Sequence, residues 1–198
     1  NWMRSMAQKN YQQNLNDAAE LATLMHRLDK FPKPTIALVK GAAFGGALGL
    51  VACCDIAIAE ENASFCLSEV RIGLIPAVIS PYVMRAIGER ESRRYFLTAE
   101  RFMAPKAKKL GLLHEVVSEG ELADSAETFI NTLLQNSPAA LTAAKSLIHN
   151  IYNRKISNNV IAHTEQAIAE IRVSPEGQEG LTAFLEKRKP AWLGKEDA

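Results

Sequence analysis

Cysteine is scarce in this chain, aromatic side chains are few, and neither sign of charge dominates. Only three cysteines occur, Cys53, Cys54 and Cys66. Two are adjacent and the number is odd, which argues against a disulfide framework. No CxxC pair and no His–Cys ligand spacing appears, so no metal site is expected. The thiols read as small buried hydrophobes in a reducing compartment. Lys and Arg number 23 against 22 Asp and Glu, so no strong field demands nucleic acid or an anionic membrane as partner. The most apolar stretch, Gly41 to Cys54, is uncharged but too short to span a bilayer. Asn1-Trp2-Met3-Arg4 leads into polar sequence rather than an apolar signal core. A soluble, cytoplasmic protein is the expectation.

What is present is ordinary globular material, able to bury a sizeable core. From about Trp2 to Lys30, Leu15, Ala18, Ala19, Ala22, Met25 and Leu28 recur at three- and four-residue steps, the stripe of an amphipathic helix. Phe31-Pro32-Lys33-Pro34 stops it. Thr35–Val39, Asp55–Ala59 and Ser64–Leu67 are short β-branched or apolar runs that read as strands. Phe44–Cys54, small and apolar all round, reads as a helix buried on every side. A loop from Ser68 to Pro76 follows, then a helix capped by Ser80-Pro81 to about Ile87. Helices near Glu91–Thr98 and Pro105–Leu110 and a last strand at Glu115–Val117 come next. Beyond Glu121 the pattern predicts helices over 121–135, 138–154, 157–172 and 175–188, opened by Ser-Pro or Ser-Asn pairs. The class is α/β, with an α/β core over 1–120 and a helical region over 121–198.

Two places carry possible chemistry. In Lys40-Gly-Ala-Ala-Phe-Gly-Gly-Ala-Leu-Gly49, Gly45 and Gly46 fall at the start of the buried helix. Backbone N–H groups there lack intrahelical partners and favour an anion, while tight helix packing through small residues explains the same glycines. Neither GxGxxG nor GxxxxGK[ST] is matched. Glu69 follows a strand in an apolar loop, where a carboxylate serves as acid or base, or is simply structural.

The order of motifs narrows these alternatives. Gly41-Ala-Ala-Phe-Gly-Gly-Ala-Leu-Gly49, Cys54-Asp-Ile-Ala-Ile-Ala59, Ala63-Ser-Phe65 and Glu69-Val-Arg-Ile-Gly-Leu-Ile-Pro76 stand in sequence. Arg85-Ala-Ile-Gly88, Leu97-Thr-Ala-Glu-Arg101 and Glu179 through Pro190 continue them. Together they resemble the enoyl-CoA hydratase/isomerase (crotonase) family over essentially the whole chain. Ser68 through Pro81 looks most like the methylglutaconyl-CoA or γ-carboxygeranoyl-CoA hydratase branch.

The resemblance implies a ββα superhelix with a C-terminal helical oligomerisation region, and a homotrimer or dimer of trimers. It implies an acyl-CoA substrate with no separate cofactor, since coenzyme A is part of the substrate. By position in the motif, Gly46 would donate its N–H to the thioester oxygen, with Gly45 and Ala43 beside it. Glu69 matches the second of two family glutamates that hold water and move protons. The first falls at Gly49, and water or a substrate group is expected to fill that empty place. Phe184 and Lys187 match an aromatic and a lysine that contact the adenine end of CoA, with a packed Phe and a solvated Lys on an amphipathic helix as the lesser alternative. Arg71, or Arg85, would meet an extra substrate carboxylate. Hydration is the expected reaction, with double-bond isomerisation or a silent CoA-binding assembly role as rivals. The helical, uncapped opening leads us to expect that the family's first strands and second oxyanion donor precede Asn1.

Overall fold

The computed structural model describes residues 8–194. The first of these form α1 (Tyr11–Asp29), so the expected helical reading of Trp2 to Ala7 lies outside the described residues. Asn10 starts the helix: its side chain accepts from the Gln13 N–H, and the Gln13 side chain accepts from the Asn10 N–H. That reciprocal cap satisfies two donors that a helix start leaves bare.

After the proline-containing turn come β1 (Ile36–Val39), β2 (Ala42–Phe44) and α2 (Gly46–Cys53). The pattern repeats as β3 (Ile56–Glu60), β4 (Ser64–Cys66), a 3-10 turn over Glu69–Ile72 and α3 (Ser80–Thr98). Then β5 (Phe102–Met103), α4 (Ala104–Leu110) and β6 (Glu115–Val117) close the series. One sheet takes the first strand of each turn, in the parallel order β1-β3-β6 with Ile36 opposite Ile56. The second sheet is β2-β4-β5, parallel between β2 and β4 and antiparallel between β4 and β5. Thr35 donates from both its N–H and its Oγ to the Asp55 carboxylate at 2.7 and 2.9 Å, which aligns the starts of β1 and β3.

Several local expectations are corrected. Strands β2 and β5 were not legible, and the helix expected from Phe44 begins at Gly46. It is not buried on every side: Leu48, Gly49, Val51 and Cys53 are buried, whereas Ala47 is exposed. The two helices expected on either side of residue 88 are both present within α3, which is interrupted at Gly88, where φ of 78° and ψ of 161° leave the helical region. Ser80 does not cap α3; its Oγ donates to the Ala77 carbonyl, and Ile79 holds the cap position.

Packing divides the chain into two units, one holding residues 8–31 and 35–126, the other 32–34 and 127–194. The core of the first gathers Met25, Leu48, Phe65, Val83 and Tyr95, with Phe102 stacked on Phe65 at 5.7 Å between ring centres. Burial, and then the nearby Asp29 carboxylate, pushes the Cys53 thiol up to about 12.

The second unit comprises the end of α5 (Leu122–Leu134), then α6 (Pro138–Ile151), α7 (Asn158–Val173) and α8 (Pro175–Glu186). The serines expected to open helices do so: Ser137, Ser157 and Ser174 accept from the N–H groups of Ala140, Val160 and Gly177. Glu176 accepts from the Ser137 hydroxyl and the Ala139 N–H, which joins the starts of α6 and α8 and holds its carboxyl below its usual range. Arg188 donates two N–H groups to Glu179 at 2.6 and 2.9 Å. That fork, aided by the Ala191 N–H, pulls the Glu179 carboxyl down to about 2.

Candidate functional site

The site begins with a backbone turn between β2 and α2. Gly45 has φ +53°, a conformation that side-chain-bearing residues avoid, and it occupies the N-cap of α2. Its N–H is spent on the Cys66 carbonyl at 2.9 Å, so it extends the β2–β4 pairing rather than offering a donor. Gly46 is the first helical residue, where an N–H has no intrahelical acceptor and sits at the positive end of the helix dipole. A Cβ on Gly46 would meet nothing within 4 Å. The space beside its Cα is therefore free of protein atoms.

Glu69 reaches this turn from the end of β4. The 3-10 turn fixes it: its carbonyl accepts from the Leu74 N–H at 3.1 Å, and Gly73 closes the turn with φ +76°. A Cβ added to Gly45 would lie 3.0 Å from Glu69 Oε1. The carboxylate therefore rests directly against the glycine turn. Its second oxygen, Oε2, is buried and finds no hydrogen-bond donor among the described residues.

Both groups open into a cavity of about 660 Å³. One wall is the α1 face carrying Asn14, Asp17, Ala18 and Leu21; another is the apolar segment from Ile72 through Leu74, Ile75 and Val78 to Ile79. Phe44 and Ser68 complete the rim. The shape and lining suit a small ligand with an apolar chain and few polar anchors.

The place left by Gly49 is not open. A Cβ there would stand 2.2 Å from Ile79 Cγ2 and 3.2 Å from Met25 Cε. The expectation that water or a substrate group fills it is corrected: Ile79 fills it, so the wall at that point is a methyl group.

Three further residues are placed elsewhere than expected. Ala43 is buried in β2 opposite Phe65, inside the core, and the neighbouring Phe44 takes the cavity position. Arg71 turns its guanidinium to the Ala99 carbonyl at 2.6 Å. Arg85 is bound to the buried Asp29 carboxylate and lies over the Tyr82 ring. Neither arginine lines the cavity. Phe184 and Lys187 lie in the helical unit, the first 81 % exposed on α8, the second in its left-handed C-cap.

Asn14, Asp17, Phe44 and Ile79 were missed as site residues. The α1 pair had a signal, because Asn14, Asp17, Ala18 and Leu21 are spaced i, i+3, i+4, i+7 and so share one helix face. Among the described residues, no group of three His, Cys, Asp or Glu side chains is arranged to hold a metal ion. No described helix is long and apolar enough to cross a membrane.

Comparison with known proteins identifies the family and the fold. The family model described as enoyl-CoA hydratase/isomerase matches residues 3–195. A crystal structure of an enoyl-CoA hydratase from Shewanella pealeana is 59% identical with a TM-score of 0.94, over 96% of this chain and 71% of that one. The 2,3-dehydroadipyl-CoA hydratase of Escherichia coli is 30% identical over 98% of this chain and 75% of its own length. The short-chain-enoyl-CoA hydratase of Clostridium acetobutylicum is 32% identical over 84% of this chain and 64% of its own length. The chain belongs to the enoyl-CoA hydratase/isomerase family and has the crotonase fold. Within that family it is an enzyme of the hydratase type.

Proposed function

We propose that the chain adds water across the α,β double bond of an acyl-CoA thioester, with Glu69 and the Gly46 N–H as its chemical groups. The carrying observation is the Glu69 carboxylate resting against the Gly45–Gly46 turn at the head of the cavity. The thioester oxygen would accept from the Gly46 N–H, which favours the enolate over the neutral carbonyl; one such donor is typically worth ~2.7–4 kcal/mol. Glu69 takes a proton from water as the oxygen bonds to the β-carbon, and returns a proton to the α-carbon as the enolate collapses. With Ile79 against Gly49, one carboxylate performs both transfers, on one face of the substrate.

The same single carboxylate favours a second reading, double-bond isomerisation, in which Glu69 carries a proton between the α- and γ-carbons. Glu69→Gln should lower turnover by ~10²–10⁴ with thermal stability unchanged. Assay of both an α,β- and a β,γ-enoyl thioester separates the two reactions. Full activity in the variant would sink the assignment of Glu69.

For the acyl chain, the reading is a methylglutaconyl-CoA-like substrate that bears a second carboxylate. The named substrate of the Escherichia coli relative, a dehydroadipyl thioester, is also a dicarboxylic acyl chain. Phe184 and Lys187 are assigned to the adenine end of CoA, and the exposed apolar residues of α8 to a contact between copies in a homotrimer or dimer of trimers. Three free thiols, two of them buried, accord with the cytoplasm.

A further inference from the structure

The two arginines expected to meet a substrate carboxylate are engaged elsewhere, yet the cavity has a cation beside it. Lys9 donates from Nζ to Asp17 Oδ1 at 2.9 Å, with the two side chains 24 % and 21 % exposed. The Lys9 backbone is held as well, because its carbonyl accepts from Asn14 Nδ2 at 3.0 Å. Asn14 and Asp17 both line the cavity. Lys9 is therefore pinned at two points to the wall that the substrate would face.

This ion pair has no evident duty in starting the helix. The Asn10–Gln13 cap already satisfies the first turn, and Asp17 stands beyond it, among Ala18, Leu21 and Ile79 on the cavity surface. Withdrawing an acid and an ammonium from water costs free energy that a leucine at the same position would not incur. Most of the cavity lining is apolar, so a polar pair retained at its edge is the kind of anchor that orients a ligand. The ammonium carries three donors in all, so it can bridge Asp17 and a second acceptor. A carboxylate reaching Lys9 would meet a cation that Asp17 has already oriented, and the ammonium between them offsets the repulsion of the two acids.

We propose that Lys9, positioned by Asp17, binds a carboxylate on the acyl chain and sets the enzyme's preference for carboxylate-bearing over uncharged acyl thioesters. The inference rests on the acyl-CoA reading of this cavity. Lys9 is the binding residue; Asp17 acts through it.

The test uses the full chain and two saturated, unreactive thioesters, glutaryl-CoA and butyryl-CoA, with affinities measured by calorimetry. Wild type should favour glutaryl-CoA. Lys9→Met should reduce that preference by about tenfold to a hundredfold, the range of one charge-assisted hydrogen bond. Lys9→Arg, which keeps the charge, should retain most of it. Equal affinities in wild type, or a Lys9→Met ratio that matches wild type, would overturn the proposal. Hydration of crotonyl-CoA by wild type tests the reaction separately. If hydration holds while Lys9→Met leaves the ratio unmoved, only the Lys9 assignment falls. If hydration fails while Lys9→Met abolishes the preference, the carboxylate site stands and the reaction is wrong. Binding of neither thioester overturns both.

Discussion

The two units of this chain spend their apolar residues differently. In the first, Met25, Leu48, Phe65, Ile79 and Val83 are almost wholly buried, and the elements interlock through contacts as close as Ile79 on Gly49. In the second, Lys145 and Ala183 are buried, while Ile156, Val173, Phe184 and Leu185 each expose three quarters or more of their surface. A unit that satisfies its own core can hold a carboxylate and an amide in fixed relation. A helical unit with large apolar residues outward has surface to bury against something else. The contrast lies in the buried core of the first unit, since Tyr11 and Leu97 of that unit are as exposed as the apolar residues of the second.

The sharpest way to break the comparison is to disturb the interlock. Gly49→Glu puts atoms where Ile79 stands and buries a charge. Overpacking costs about 1–3 kcal/mol and an unpaired buried charge several more, roughly 3–5 kcal/mol. The expected outcome is loss of soluble folded protein, partly rescued by Ile79→Ala, as read by thermal melting.

Gly46→Ala separates rate from stability in the same unit. The added methyl meets no protein atom, so the melting temperature should hold, yet it enters the space the thioester oxygen needs. Turnover should drop by about 10²-fold, the usual consequence of an ångström of misplacement.

In the helical unit the largest effect should fall on assembly. Phe184→Glu with Leu185→Glu leaves that unit's buried residues untouched and should lower the mass seen by light scattering while preserving helicity. An unchanged mass would remove α8 from the interface.

A smaller effect concerns pH. Glu179 is held at about 2 in the folded chain against an ordinary 4.5, so the Arg188 clamp is intact above that ordinary value and is lost as pH falls toward 2. Trp192, whose ring lies where a Cβ on Gly180 would meet it at 3.0 Å, should report the loosening by fluorescence in a Trp2→Phe background. Smallest of all, Cys53, raised to about 12 and buried, should resist alkylation at pH 8 while the partly exposed Cys54 reacts. Peptide mass mapping reads the difference.

Much of the architecture was written locally. The apolar runs of β1, β3 and β4, the proline stop after α1 and the serines that open α6, α7 and α8 are decided by residues within a few positions of each other, so a linear reading finds them. Glu69 and Gly46 were legible locally only as candidates, a carboxylate after a strand and a glycine at a helix start, and it was the order of motifs along the chain that gave each an expected role. Strands β2 and β5, of three and two residues, were not legible. Their dihedral preference is too weak alone, and they exist because β4 supplies hydrogen-bond partners on both sides.

The sequence by itself determined the family and the run of the main helices and of β1, β3 and β4, because those depend on local pattern and motif order. Tertiary structure alone decided that Ile79 closes the space above Gly49, that Arg71 and Arg85 turn to Ala99 and Asp29, and that Asp17 faces the cavity with Lys9 paired to it. Each of those outcomes joins residues far enough apart in the chain, or turned by helix phase to a particular wall, that only packing brings the atoms into contact.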